Sequence, residues 1–380
     1  MIYLDNGATS FPKPRIVHEE YERCMRFYAA NAGRGAHKLS MMAAEKMWEA
    51  RTLLATLFHI ALPERIAFTE NCTAGLNIGL RGILKSGDDL IISDMEHNSV
   101  YRPAMALAKN GVKTLFAVAD AEGMLSPQAI EKQITPRTRM VCLQHASNVG
   151  GGINPIAEIG KMLREKGILF MVDAAQTAGC VPIDVEKDCI DILAFPGHKG
   201  LLGPQGTGGI YIRPSISVEP LTSGGTGSES ESPAQPDFLP DRLESGTQNL
   251  PGIAGLCGGL RYVLSHGVEA ISRHEVELCT QLASELQSLK SVKCLGPADM
   301  QKRVGVLSLQ LIGKDPSTIA GILNKNYNIA VRAGLHCAPL AAAHFGVLQN
   351  GSLRFSPGVF NTSAEIDYAA RALREIINSE

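Results

Sequence analysis

The sequence predicts an α/β fold with a mostly parallel central sheet and a smaller second domain, on three observations. Runs at "RIAFT", "DLIIS", "TLFAV", "RMVCL", "ILFMV", "ILAF" and "GGIYI" are apolar nearly throughout instead of alternating. Strands of that kind are covered on both faces, the condition of a parallel sheet between helices. Helix-like segments such as 126–133 and 155–166 fall between those runs, and after about residue 212 the chain changes character. In such folds ligands gather beyond the carboxyl ends of the strands, so the residues that follow each run are the functional candidates.

The alternation begins near residue 64. The stretch 212–246, with "SGGTGSESESPAQPDFLP", is rich in Gly, Ser, Pro and acid and reads as a long exposed connection. A loop of that length in a compact protein is more often functional or mobile than a plain linker. Residues 267–288 read as a helix and "VGVLSLQLI" as a strand. The last helix opens on the capping box Thr362-Ser363-Ala364-Glu365, with Ile366, Ala370, Leu373 and Ile377 at helical spacing.

Composition narrows the function classes. With 45% hydrophobic and 19% charged residues, the chain is of ordinary soluble globular type. A formal charge of −2 gives no electrostatic reason to expect nucleic acid or an anionic membrane as partner. No run approaches the ~20 apolar residues of a membrane span. The opening "MIYLDNGATSFPKPR" lacks a basic region followed by an apolar core, so secretion by signal peptide is not expected. Nine scattered cysteines suit reduced thiols in a cytoplasm better than a disulfide framework. No C-x-x-C, H-E-x-x-H or G-x-x-x-x-G-K-[ST] pattern occurs, so neither a metal site nor nucleotide-phosphate chemistry is expected.

Two charges stand out in apolar surroundings. Asp173 closes "ILFMV", where it is either an N-cap for "AAQTAG" or a buried carboxylate in need of a cationic partner. Lys199 is the one formally charged residue in "ILAFPGHKGLLGPQGTGGIYI", 192–212. Taken alone it is a turn lysine; desolvated, it is a usable nucleophile. Together the pair suits a cofactor with a protonatable ring nitrogen and a carbonyl, which pyridoxal phosphate provides, and such a cofactor needs a phosphate site. "RIAFTENCTAGLNIGL" offers one, a strand running into a helix with Cys72, Thr73 and Gly75 at its start. His97, just past "DLIIS", is placed to stack on a flat ring.

In this order, "EHNS", "QHASNVGG", "VDAAQ" and "GHK" resemble the class V aminotransferase group of fold-type I pyridoxal-phosphate enzymes, and within it the cysteine desulfurases and selenocysteine lyases of the SufS-like branch. "YLDNGATSFPKP", "NAGRGAHKLS" and "ESGTQNLPGIAGL" extend the resemblance over almost the whole chain. It implies that Lys199 bonds the cofactor carbonyl and later moves protons at the substrate α-carbon, and that Asp173 pairs with the ring nitrogen. It implies further that His97 stacks on the ring, Asn148 and Gln176 lie near its phenolic oxygen, and Thr73, beside Cys72, and His198 contact the phosphate. Thr247 would reach the phosphate of the neighbouring subunit of a homodimer. The resemblance also implies that residues 1–15 pack with the small domain, 16–260 form the large cofactor-binding domain and 261–380 the small one. One position departs from the pattern: Pro196 stands where Ser or Thr is usual, and proline offers neither hydroxyl nor N–H.

The cofactor alone does not select a reaction. Cys72, Cys142, Cys180 and Cys257 lie in apolar contexts and their thiols are assigned no chemistry. Cys337, in "VRAGLHCAPLAAAHFG", lies in a segment similar to the family's R-x-G-x-H-C-A loop, where the thiolate takes sulfur from bound cysteine. A free thiol is mostly protonated at neutral pH, so His336 or Arg332 is expected to activate it. Arg354, in "NGSLRFSPGVFNTSAEID", occupies the place of the family's carboxylate-binding arginine, and its planar fork suits that task. The expected reaction converts L-cysteine to L-alanine with a persulfide on Cys337, passing sulfur to a thiol or a sulfur-acceptor protein. L-selenocysteine is a second expected substrate. The alternatives are an aminotransferase or lyase of another amino acid, with Cys337 incidental, and a non-catalytic partner that keeps the fold.

Overall fold

The computed structural model describes residues 1–33 and 35–379. The chain begins with strand β1 (Ile2–Tyr3) and helices α1 (Arg15–Phe27) and α2 (Lys38–Phe58). Strand β2 (Ile66–Thr69) leads into α3 (Cys72–Ile83), β3 (Asp89–Ser93) into α4 (Asn98–Ala108), and β4 (Lys113–Ala117) into the short α5 (Pro127–Glu131). Next come β5 (Thr138–Gln144), α6 (Ile156–Glu165), β6 (Leu169–Asp173), β7 (Ile192–Pro196) and β8 (Gly208–Ile212). After a long connection, α7 (Leu250–His266) and α8 (Val268–Leu286) meet at Gly267, whose φ of 83° favours glycine. The remainder runs through β9 (Val292–Cys294), β10 (Leu307–Leu311), α9 (Pro316–Tyr327), β11 (Ile329–Ala330), β12 (Arg332–Gly334) and α10 (Pro339–His344). Strand β13 (Ser352–Phe355) and helix α11 (Ser363–Ser379) complete it.

Each of the seven apolar runs is a strand of one sheet, ordered β2-β8-β7-β6-β5-β3-β4. Pairing is parallel from β7 to β4, and β8 is antiparallel to both of its neighbours. The apolar runs do not alternate because both faces are covered. Ile91, Val141, Val172 and Leu193 join one core with α2, α6 and α7, while Leu90, Cys142, Met171 and Ile192 join another with α3 and α4. Helix α3 lies close on the sheet because a Cβ at Gly79 would come within 2.5 Å of the Met171 side chain. That close seat fixes where the α3 N-terminus points.

The second unit is an antiparallel sheet, β12-β13-β10-β9, backed by α8, α9 and α11 in a separate core. The N-terminal segment belongs to it: β1 pairs with β11 in parallel and Leu4 is buried in the same core. Helix α11 opens on the reciprocal capping box read in the sequence, Thr362 N–H to Glu365 Oε2 at 2.9 Å and Glu365 N–H to Thr362 Oγ1 at 3.3 Å. Helix α7 runs unbroken through residues 260 and 261, where the sequence suggested a domain boundary, and packs on α1 and α2 before handing the chain to α8. The 213–249 connection holds a single 3₁₀ turn, Asp241–Leu243. Among the described residues no helix is long and apolar enough to cross a membrane.

That connection is tied down by a buried ion pair. Arg51 of α2 donates to both carboxylate oxygens of Glu244, at 2.8 and 2.6 Å, and to the Ile66 carbonyl, while Glu244 also accepts the Phe68 N–H at 2.6 Å. Removing one partner of such a pair strands the other charge. Glu244→Ala is expected to destabilise the protein by about 3–5 kcal/mol in urea unfolding, and Arg51→Leu/Glu244→Leu by clearly less.

Candidate active site

The strand ends converge on a cavity of about 230 Å³. Its lining includes Cys72 and Thr73 from α3, His97 after β3, Asn148 after β5, Asp173 at the end of β6 and Gln176 beyond it. Pro196, His198 and Lys199 follow β7, and the small domain contributes Arg332, His336, Cys337 and Arg354. Of the residues singled out in the sequence, Thr247 lies elsewhere. It is exposed in the loop before α7, where it lines a different hollow with Trp48 and Arg51.

Asp173 is the buried carboxylate of the second reading, and the segment after it forms turns instead of a helix. Its Oδ1 accepts the Ala175 N–H at 2.8 Å, capping a turn and not a helix, and takes the Cys72 thiol at 3.3 Å. No described donor reaches Oδ2, which is left for the cavity. Burial and the neighbouring carboxylate push the Cys72 thiol well up, so it acts as a donor to Asp173 and not as a nucleophile. Lys199 is pushed down to about 8, first by burial and then by the Arg354 cation, with Asp173 opposing.

At the phosphate end, Asn71 caps α3 by accepting the Ala74 N–H at 2.9 Å. The amides of Cys72 and Thr73 lie ahead of any intrahelical acceptor, as the first turn of a helix dictates. Thr73 Oγ1 meets Ser99 Oγ at 2.7 Å, and Ser99 in turn meets His97 Nδ1 at 2.9 Å. His97 caps α4 and is held neutral chiefly by burial, which lowers its pKa. His198 is pushed down to about 4 by burial and by Lys199. Among the buried polar atoms of the lining that find no partner in the protein are His198 Nδ1 and Asn148 Oδ1. Together with the amides of α3, they fit a ligand carrying a phosphate and a polar ring substituent. Gln176 donates to the Gly7 carbonyl at 3.2 Å.

The small-domain side is cationic. Arg354 is 1% exposed and donates to Asp5 Oδ1 at 2.8 Å and to the Asn148 carbonyl at 3.1 Å. Asp5, which no sequence signal singled out, thus orients the arginine from behind. Cys337 is exposed, and Arg332 Nη2 lies 3.6 Å from its Sγ. His336 bonds Ser352 Oγ at 2.9 Å instead and is pushed down to about 3 by burial and by the two arginines. Of the two neighbours expected beside the thiol, Arg332 is the one in contact with Sγ, while the His336 ring bonds Ser352. Beneath His97, buried Glu96 accepts the Gln144 N–H and the Ser93 hydroxyl, and burial raises it to about 8. Among the described residues no group of His, Cys, Asp and Glu is arranged to hold a metal ion.

A mostly parallel α/β sheet with a lysine, a carboxylate and a helix N-terminus at its strand ends defines a cofactor-dependent enzyme class. The chain belongs to the aminotransferase class-V family, whose sequence profile matches residues 2–369. A probable cysteine desulfurase of Pyrococcus abyssi is 37% identical over 100% of this chain and 95% of its own. Another, from Methanothermobacter thermautotrophicus, is 35% identical over 99% of this chain and 94% of its own. The solved apo structure of a cysteine desulfurase from Thermococcus onnurineus NA1 matches with a TM-score of 0.93 at 36% identity, covering 100% of this chain and 95% of that one.

Two pH effects follow. With Lys199 as the residue that bonds the cofactor carbonyl, as the family resemblance implies, capture of pyridoxal phosphate by the apoprotein should rise about tenfold in rate from pH 7 to 9 and then level off, followed by the cofactor's visible absorbance. A lysine titrating in the ordinary range would instead show about a hundredfold rise with no plateau. Glu96 has a folded-state pKa raised from 4.5, so its stabilising contribution is complete below that value and is lost as pH rises toward about 8. Glu96→Gln should flatten the fall in urea midpoint between pH 5 and 8 by roughly 1–3 kcal/mol.

Proposed function

We propose that this protein is a pyridoxal-phosphate-dependent cysteine desulfurase that converts L-cysteine to L-alanine and holds the sulfur as a persulfide on Cys337. The observation that carries the reading is that an exposed thiol beside a guanidinium opens into the same cavity as Lys199, Asp173 and Arg354. A transaminase or lyase needs no such thiol.

Bound pyridoxal phosphate would supply an electron sink next to the substrate α-carbon. Lys199 would bond its carbonyl, and the freed amine would then move the proton at Cα. Asp173 Oδ2 would hold a proton on the ring nitrogen, with Oδ1 already fixed by Ala175 and Cys72. The α3 amides, Thr73 and His198 would hold the phosphate, and Asn148 Oδ1 and Gln176 lie on the ring side. Arg354 would take the substrate carboxylate through its remaining N–H groups. The Cys337 sulfur, with the Arg332 guanidinium beside it, would attack the substrate sulfur as the thiolate. A sulfur–sulfur bond forms, the Cβ–S bond breaks, and its electron pair stays with the carbon skeleton, which becomes alanine on protonation. A second thiol, free or on an acceptor protein, would then remove the persulfide sulfur. Because selenium is larger and leaves more readily, L-selenocysteine suits the same geometry.

Three further features support a homodimer in the cytoplasm. Helices α1 and α2 expose Tyr21, Met25, Phe27, Met41 and Trp48. Thr247 is exposed and lines a hollow of about 360 Å³ with Trp48, and a second one with Asn71 and Thr73, so it lies on open surface that a second subunit could cover. All nine cysteines are free.

With L-cysteine and a reducing thiol, the cofactor-loaded protein should release sulfide and alanine in equal amounts over many turnovers. Cys337→Ala should lower sulfide release at least about a hundredfold while leaving the cofactor absorbance intact. Pyruvate in place of alanine, or unchanged sulfide release in the variant, would refute the reading.

A further inference from the structure

His336 and Cys337 both sit in the left-handed region, with φ of 52° and 57°. Two successive non-glycine residues there are strained and persist only where their surroundings over-determine them. The carbonyls of this turn are held by the large domain. Asn148 Nδ2 donates to the His336 carbonyl at 2.7 Å, and the Asn98 N–H donates to the Cys337 carbonyl at 2.8 Å. The turn then runs straight into α10, whose last residue is His344.

His344 is bound at both ring nitrogens by the large domain. Its Nδ1 lies 2.8 Å from Asp94 Oδ2, just past β3, and its Nε2 lies 2.8 Å from the Asp120 carbonyl, past β4. Asp94 and the Asp120 carbonyl thus hold the imidazole from two sides. The acceptors are themselves fixed. Asp94 Oδ1 takes the Ala119 N–H, and the Asp120 carboxylate takes the N–H groups of Glu122 and Met124. Next to it, Phe345 fills the space over Gly123 and Gly150, where an added Cβ would approach its ring to 2.7 and 2.8 Å.

We propose that His344 is a positioning residue for sulfur transfer: its two bonds pin α10 across the ends of β3 and β4, and thereby hold Cys337 in its strained turn at the mouth of the cavity. The proposal rests on Cys337 being the residue that accepts sulfur. It is separable from cofactor and substrate binding, because His344 lies outside the lining of the cavity. A misplacement of the thiol by a fraction of an ångström to an ångström slows its attack without altering how cysteine is captured.

The test compares wild type, His344→Gln, His344→Phe and Cys337→Ala, all loaded with pyridoxal phosphate. His344→Gln keeps one donor group and should lower kcat about threefold to tenfold; His344→Phe keeps the shape alone and should lower it about tenfold to a hundredfold. In both, KM for L-cysteine, the cofactor absorbance and its response to added L-alanine should stay within about twofold of wild type. Carbamidomethylation of Cys337 by iodoacetamide, followed by peptide mass, should change in rate in the same graded order. If the fold does not tolerate His344→Phe, Asp94→Asn supplies the second point, since it weakens the same bond from the other side. Unchanged kcat and unchanged Cys337 alkylation in the His344 variants would overturn the proposal. So would a loss that falls equally on KM and the alanine response. Full sulfide release by Cys337→Ala would instead sink the sulfur-acceptor reading itself, a result that the His344 variants cannot mimic.

Discussion

The protonated form of Lys199 is disfavoured twice, by loss of water and by the nearby Arg354, and only partly restored by Asp173. Much of the site's design follows from that imbalance. Three cationic side chains, Lys199, Arg332 and Arg354, face one cavity, and each is managed differently. The lysine is brought toward neutrality. Arg354 is neutralised from behind by Asp5, and Arg332 is left to face a thiol. The imidazoles of His198 and His336 are kept uncharged by burial, so they add polar atoms without adding to the repulsion. A cavity so arranged favours a ligand that brings negative charge at two ends, a phosphate toward α3 and a carboxylate toward Arg354.

The fold makes this possible by separating placement from chemistry. Parallel strands deliver Asp173, Lys199 and the loops carrying His97 and Asn148 to one edge of a sheet covered on both faces by helices. The small domain then brings Arg332, Cys337 and Arg354 across the opening on strands and loops of an independent core. The two halves are joined by hydrogen bonds of backbone to side chain, such as Asn148 to His336 and Arg354 to Asn148, and not by apolar packing alone. Such bonds are directional, so they fix the angle between the halves as well as the distance.

How far this was legible in the sequence differs by kind of residue. Lys199 and Asp173 were readable because a charge in an apolar run must have a use, and the strands that carry them are visible as runs. The capping box of α11 was readable because it is local. Helix α7 was not, since "GIAGLCGG" argues against a helix by propensity. Its glycines serve packing: an added Cβ at Gly258 would come within 2.7 Å of the Ile16 carbonyl and one at Gly259 within 2.2 Å of the Leu201 carbonyl. Asp5 was invisible because its partner lies some 350 positions away, and the choice between Arg332 and His336 needed the direction of an imidazole that bonds Ser352. Periodicity reports which face is buried; it carries no record of contacts made across the whole length of the chain.

The pairing of β1 with β11, and of Asp5 with Arg354, sets an order on biogenesis. Residues of β1 and Asp5 are made long before their partners in β11 and β13. Leu4 must therefore wait, unburied, until the strands of the small domain exist, while the large sheet has all its strands by residue 212. Closing a loop of that span late costs entropy that only the finished small-domain core can offset. The carboxylate that steadies Arg354 thus takes its place only once the small-domain strands exist, and the site is completed as β1 joins them.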